Sequence, residues 1–181
     1  MTTEKNNPMK EIEIEKLTLN VCVGESGDKL ENAKILLERI SDSNVIYTHA
    51  KKRVPTWNLR QGLAIGVKTT IRGEKIHDLL KRLFEAVENN INPKNFDKEG
   101  NLSFGIKEYI HIPDVKYDPS LGIIGLDVCV TLKRKGGYRV KRRNYKKSVV
   151  GKKHRISKEE SMNFFKENFN ISIGEKKRRL W

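Results

Sequence analysis

Long apolar runs are missing from this chain. No stretch approaches the ~20 consecutive apolar residues that a membrane-spanning helix needs. The opening MTTEKNNPMKE lacks the apolar centre of a secretion signal, so the expectation is a soluble cytoplasmic protein with no membrane partner. Cysteine is nearly absent as well. Cys22 and Cys129 stand alone, each inside an apolar run, with no CxxC and no histidine at zinc-ligand spacing. They read as small core or sheet residues in a reducing compartment, and they exclude a disulfide scaffold or a structural zinc site. Acidic residues are missing altogether from three segments, and those gaps point to the partner class.

Catalytic constellations are missing too. His49, His77, His111 and His154 are scattered, and none has a cysteine or carboxylate at metal-ligand spacing. Asp118 precedes Pro119, which is turn chemistry, and Ser26 has no elbow motif around it. The glycine-rich turn Gly24-Glu25-Ser26-Gly27-Asp28 lies between a strand and a helix, as a phosphate loop would. It lacks the Gly-Lys-Ser/Thr ending, and it sets two carboxylates where phosphate would come. No enzyme activity, metal or cofactor is expected.

What is present is a strongly uneven positive charge. The 181 residues carry a formal net charge of +14. Residues 48–73 hold six Lys and Arg and no acid, residues 133–155 hold twelve and no acid, and residues 176–179 add four more. Those segments contain 22 of the 37 basic residues, so the remaining chain sets 15 bases against all 23 acids and is mildly acidic. Positive charge concentrated in this way suits a polyanion, because neutralising phosphates releases condensed counterions. Nucleic acid is the partner class this implies.

Hydrophobic periodicity supplies the frame. Leu17, Leu19, Val21 and Val23 alternate with Thr18, Asn20 and Cys22, a strand with one buried face. Leu30, Ala33, Leu37 and Ile40 then recur at helical spacing, with Ser26 or Asp28 as candidate N-cap. A second strand over 45–50 and a third over 63–72 flank the basic loop and pair antiparallel if the loop folds back. From Gly73, the residues Ile76, Leu79, Leu80, Leu83, Phe84, Val87 and Ile91 predict a helix that ends before Pro93. Strands follow around Leu102, Phe104 and Ile106 and from Ile124 to Leu132. The order predicts an α+β fold, a mainly antiparallel sheet with helices packed on one face. One domain is expected, with a tail over 1–11, a basic arm over 133–155 and a C-terminal helix over 157–169 opened by the capping box Ser157-Lys158-Glu159-Glu160. Because a packed helix follows the arm, the arm reads as an extended loop anchored at both ends.

A sheet covered on one side leaves a polar face on the other. Asn20, Lys68, Thr70, Arg72, Asp127 and Thr131 fall on polar strand positions and can share that face, offering amides, hydroxyls and cationic donors to phosphate, 2′-hydroxyl and base edges. Paired aromatics are missing from it, which argues for shape readout of folded RNA. Trp57, at the tip of the basic loop beside Pro55, can either stack on a base or pack back onto the loop.

These stretches together resemble a known family. The segments IEKLTLNVCVGES, KKRVPTWNLRQGLAIGVKTTIRGE and SFGIKEYIHIPDVKYDPSLGIIGLDVCV, followed by GKKHRISKEES, are similar to the large-subunit ribosomal protein L5 family, binders of 5S ribosomal RNA. The resemblance runs from about Ile12 to Phe169, and the arm with its HRISKEE helix is similar to the archaeal and eukaryotic branch. It implies 5S contacts for Asn20, Thr70 and Arg72, with Arg60 and Gln61 at the loop's return; Lys68 joins them by its place on the polar face. The loop with Lys51, Lys52, Arg53 and Trp57 would reach the elbow of the peptidyl-site tRNA, although the family usually has phenylalanine at the position of Trp57. Arg139, Lys141, Arg142, Arg143, Lys146, Lys147, Lys152 and Lys153 of the arm would add contacts to large-subunit rRNA. Neighbouring ribosomal proteins of the 5S particle are the remaining implied partners. An RNA chaperone or ribosome assembly factor using the same surface is the alternative.

Overall fold

The computed structural model describes residues 7–174, without the side chains of residues 137–139 and 153. β1 (Ile12–Cys22) buries Leu17, Leu19 and Val21 on one face and turns Thr18, Asn20 and Cys22 to the other. Its turn closes on Gly24 and Gly27, both at positive φ. Gly27 is the N-cap of α1 (Asp28–Ser41), which corrects the expected Ser26 or Asp28 cap. At φ 131° the cap position favours glycine, and Asp28 and Glu31 instead sit in the first turn, where carboxylates complement the helix dipole.

β2 (Ile46–His49) and β3 (Ala64–Ile71) pair antiparallel around the basic loop. β3 also pairs with β1, and near its start it demands glycine. A Cβ on Gly66 would lie 2.7 Å from the Val21 carbonyl oxygen and 2.8 Å from the Thr48 hydroxyl. α2 (Lys75–Glu85) buries Ile76, Leu79, Leu80, Leu83 and Phe84. It is shorter than the spacing predicts. Glu88 and Asn89 take left-handed backbone, and Ile91 reaches the core from the two-residue strand β4 (Asn90–Ile91) instead of from a helix. The apolar register alone could not distinguish these two routes to the same core.

β5 (Leu102–Ile106) and β6 (Leu126–Arg134) pair antiparallel, and β6 also pairs with β1, giving the sheet order β2-β3-β1-β6-β5. The basic excursion is not loop throughout, because α3 (Lys135–Arg142) continues directly from β6. α4 (Lys158–Phe169) follows, opened by the expected capping box: the Ser157 hydroxyl accepts from the Glu160 amide, and the Glu160 carboxylate accepts from the Ser157 amide. β7 (Ser172–Ile173) then pairs parallel with β4.

α1 and α2 share one apolar core with the sheet residues Leu19, Val67, Val128 and Val130, and α4 enters it through Phe165. Phe165 is fully buried, edge-on to Phe84 at 6.1 Å and tilted against Phe96 at 6.0 Å. Aromatic pairs of this geometry add about 0.5–1.5 kcal/mol each beyond their burial, so α4 is held to the domain even though it lies beyond the arm. The α+β arrangement is as expected: α1, α2 and α4 pack on one face of an antiparallel sheet, and the opposite face is left open over most of its area.

Candidate nucleic-acid interface

Register decides which residues the uncovered face brings together. Asn20 lies opposite Lys68 on one side and Asp127 on the other, so the three form one row across β3, β1 and β6. In the next row Thr70, Thr18, Cys129 and Ser103 stand side by side. Lys16 and Thr131 form a third pair after a β-bulge at Glu15. Directly opposed residues have Cβ atoms roughly 4.5–5.5 Å apart, and alternation places every one of these on the face away from the core. Lys68 and Thr70 are exposed, as is Arg72 just past the end of β3.

The predicted set divides in two. Asn20, Lys68, Thr70, Asp127 and Thr131 share the face. Arg60 and Gln61 are exposed at the neck of the hairpin, beyond the Gly66 end, while Arg72 stands at the opposite end. At about 3.3 Å per residue the run from Gly66 to Arg72 spans about 20 Å. Cationic donors therefore stand at both ends and in the middle of the face. Among the described residues, no carboxylate pairs with Lys68, Arg60 or Arg72. Sequence reasoning missed Thr18 and the two cysteines as members. Thr18 and Cys22 share the parity of Asn20, and Cys129 that of Asp127 and Thr131, so alternation carried the signal for all three; the cysteines were passed over because their residue type suggests burial. Partial desolvation by its neighbours, with the Asp127 charge adding to it, raises the pKa of the Cys129 thiol.

The basic loop is a shaped tip. Its neck is closed by the Ala50 amide donating to the Leu63 carbonyl at 2.8 Å and the Gly62 amide donating to the Ala50 carbonyl at 2.9 Å. Further out Val54 and Leu59 exchange backbone hydrogen bonds, and a single 3-10 turn, Pro55–Trp57, ends on Asn58 in left-handed backbone. Trp57 is 71% exposed, so it does not pack back onto the loop. Lys51, Lys52 and Arg53 are exposed along the approach to the tip.

The arm is tied down at its base by carboxylates. Arg134 sets one guanidinium nitrogen 2.8 Å from both oxygens of Glu160, Lys135 bonds Glu11 and lies 3.5 Å from Glu13, Arg142 lies 3.8 Å from Glu15, and Arg155 lies 3.6 Å from Glu99. Burial raises the Glu160 pKa, but the Ser157 amide and Arg134 outweigh it and the net shift is downward. The hydrogen bond to Glu11 raises the Lys135 pKa. Further along, the Arg143 Nε donates to the Lys146 carbonyl at 2.7 Å, and the Lys146 ammonium lies 5.3 Å from the Tyr145 ring centre. Lys141, Arg143, Lys146, Lys147 and Lys152 are exposed, whereas the side chains of Arg139 and Lys153 lie outside the described residues.

No group of three potential metal-ligating side chains forms among the described residues, and no helix there is long and apolar enough to cross a membrane. Asp118 is committed to its own turn. Its carboxylate accepts from the Ser120 hydroxyl at 2.6 Å and from Arg39 at 2.9 Å, and these bonds hold its pKa below the usual range, Ser120 first.

Comparison with known proteins matches the sequence to one family along nearly the whole chain. The family model described as "Ribosomal protein L5" matches residues 7–60, and the model of the same family's C-terminus matches residues 64–164. The chain belongs to the ribosomal protein L5 family. The two L5 matches meet in the hairpin neck, so the basic tip falls in the first and the polar face draws on both. L5 relatives named "Large ribosomal subunit protein uL5" include that of Nanoarchaeum equitans, 50% identical over 92% of this chain and 98% of the relative. Those of Sulfurisphaera tokodaii and Nitrosopumilus maritimus are 45% and 44% identical, each over 96% of this chain and 98% and 99% of the relative.

Proposed function

We propose that this L5 family member binds 5S ribosomal RNA through the uncovered face of its sheet and touches the peptidyl-site tRNA with the tip at Trp57. Its place is that of a structural, non-catalytic constituent of the large ribosomal subunit in the cytoplasm, as the shared name of its relatives indicates. The observation that carries the RNA reading is the row Lys68-Asn20-Asp127 with Thr70 and Thr18 beside it. It is an open, hydrogen-bonding surface with cationic residues at both ends. Arg72 and Lys68 take phosphates, the threonine hydroxyls and the Asn20 amide take 2′-hydroxyls and base edges, and Asp127 takes exocyclic amino donors. Such a surface reads the shape of a folded RNA, since A-form grooves expose sugar edges and phosphates.

The tip and the arm add separate contacts. The exposed indole stacks on a base or sugar at about 1–3 kcal/mol, with Lys51, Lys52 and Arg53 screening the adjacent phosphates. The arm reaches large-subunit rRNA through Lys141, Arg142, Arg143, Lys146, Lys147 and Lys152, together with Arg139 and Lys153. Arg60→Ala combined with Arg72→Ala is expected to weaken 5S RNA binding in a filter-binding titration while leaving the thermal melt unchanged. Unchanged affinity would remove the site assignment. Co-sedimentation with large subunits in high salt separates a resident protein from an RNA chaperone, which washes off.

A further inference from the structure

Asp127 opposes the charge of the partner proposed for the polar face. It is exposed in the row with Lys68 and Asn20, and it makes no hydrogen bond or ion pair among the described residues. A bare carboxylate on a surface that meets phosphates weakens binding by repulsion unless a donor on the RNA satisfies it. Its neighbour on β5 is equally out of place. Gly105 stands directly opposite Asp127 in unbroken antiparallel register, exposed, with φ outside the left-handed region. Glycine inside a strand costs backbone entropy, and it marks a bulge, a tight bend or the close approach of another group. Gly105 sits in neither a bulge nor a left-handed turn, and no part of the fold crowds it. A Cβ there would meet Asp127 Oδ1 at 3.5 Å, an ordinary contact, whereas on Gly125 it would lie 2.7 Å from the Lys107 carbonyl oxygen and on Gly66 2.7 Å from that of Val21. The fold therefore requires those two glycines and leaves Gly105 unexplained.

The two anomalies touch each other, since the same 3.5 Å sets the Asp127 carboxylate beside a residue with no side chain to screen it. We propose that Asp127 and Gly105 form a seat for one unpaired guanine of the bound RNA, its Watson–Crick edge on the carboxylate and its ring or sugar against the glycine backbone. The two oxygens of a carboxylate accept from two parallel donors, and among the four bases guanine presents such a pair, at N1–H and N2–H. Adenine and cytosine set an acceptor beside the amino group, which a carboxylate repels, and uracil sets its one N–H between two carbonyls. The Watson–Crick edge is free only in a loop, a bulge or another unpaired nucleotide, which is where proteins read RNA sequence. This inference rests on the RNA reading of the sheet face, and it adds one base-specific contact to a surface that otherwise reads shape.

Filter binding of the full chain to 5S RNA tests the seat with Asp127→Asn, Gly105→Val and, as a control on α2, Glu85→Gln, the folding of each checked by thermal melt. Electrostatics alone predicts that removing the Asp127 charge tightens binding. The guanine seat requires the opposite, a loss of at least about tenfold, the scale of paired hydrogen bonds to a charged acceptor. Gly105→Val should weaken binding at least about fivefold by obstructing the seat, and Glu85→Gln should leave it unchanged. Inosine keeps N1–H but lacks the N2 amino group. Transcripts carrying sparse random inosine in place of guanosine, sorted by binding, should show one unpaired position at which inosine weakens the parent but not Asp127→Asn. Equal or tighter binding by Asp127→Asn, or the absence of any such position, overturns the proposal. A loss seen only with magnesium present, and with no inosine-sensitive position, assigns the carboxylate to a hydrated cation and overturns it too. Unchanged 5S affinity in the Arg60 and Arg72 variant removes the sheet-face reading itself, whereas loss there with Asp127→Asn unchanged removes only the guanine.

Discussion

Replacing Arg60, Lys68 and Arg72 together by glutamine tests the sheet face quantitatively. The three side chains are exposed and pair with no carboxylate among the described residues, so each substitution should change stability by no more than about 0.5 kcal/mol. If each holds one RNA phosphate, each contributes about 0.7–0.9 to the slope of log affinity against log salt. The triple variant should therefore lower the slope by about 2–3. At 0.1 M monovalent salt, one decade below the 1 M reference, the same contacts account for about 2–3 decades of affinity. Filter binding to 5S RNA at four salt concentrations measures both quantities on one plot. A matching triple variant at Lys51, Lys52 and Arg53 carries the same charge change at the hairpin tip. It should leave the 5S slope near that of the parent and reduce tRNA binding instead. Equal slopes for the parent and the sheet-face variant would refute the reasoning, and equal losses from both variants would show that only total charge matters.

Phe165→Ala should cost about 3–5 kcal/mol in denaturant unfolding, since it removes a fully buried ring against which Phe84, Phe96 and Phe169 pack. Ser157→Ala should cost about 0.5–2 kcal/mol by the same measurement, through loss of one half of the capping box. Gly66→Ala should destabilise by about 1–3 kcal/mol, because the added methyl meets a backbone carbonyl of the neighbouring strand that cannot move aside. Asp118 and Glu160 both have folded pKa values below their ordinary ones, so their contribution is present above the usual carboxylate range and is lost as the pH falls through the folded values. Thermal melts followed from neutral into strongly acid solution should show a decline that becomes shallower in Asp118→Asn.

Alternation and helical spacing made the sheet, its buried side and two of the helices readable in the chain. Leu17, Leu19 and Val21 on one parity and Thr18 and Asn20 on the other already separate a covered face from an open one, because side chains in a strand must alternate. The capping box at Ser157 is equally local, two reciprocal hydrogen bonds within one helical turn. Charge was also legible: the acid-free segments can be counted without any coordinates. Local signals failed where two backbones serve the same apolar contact. Ile91 is in helical register with Leu83 and Val87, yet it reaches the core from a short strand after two left-handed residues. Helical segment α3 was hidden for the opposite reason, since Lys135–Arg142 contains paired glycines and no apolar periodicity, and its ends are held by Glu11, Glu13 and Glu15 from far earlier in the chain.

A one-sided antiparallel sheet, a basic hairpin and a basic excursion with an anchored helix beyond it were thus set by residue order alone. They follow from the two side-chain periods of strand and helix and from like charges that cannot pair with one another. Which residues become neighbours was a tertiary matter. Lys68, Asn20 and Asp127 stand in one row because register sets cross-strand partners, and register depends on three strands far apart in the chain. Folding also turned Trp57 outward and closed the arm over the end of the polar face. There Thr131, Asn101 and Lys141 line one pocket, an arrangement that sequence spacing cannot encode because its parts come from the sheet, the segment before β5 and the arm.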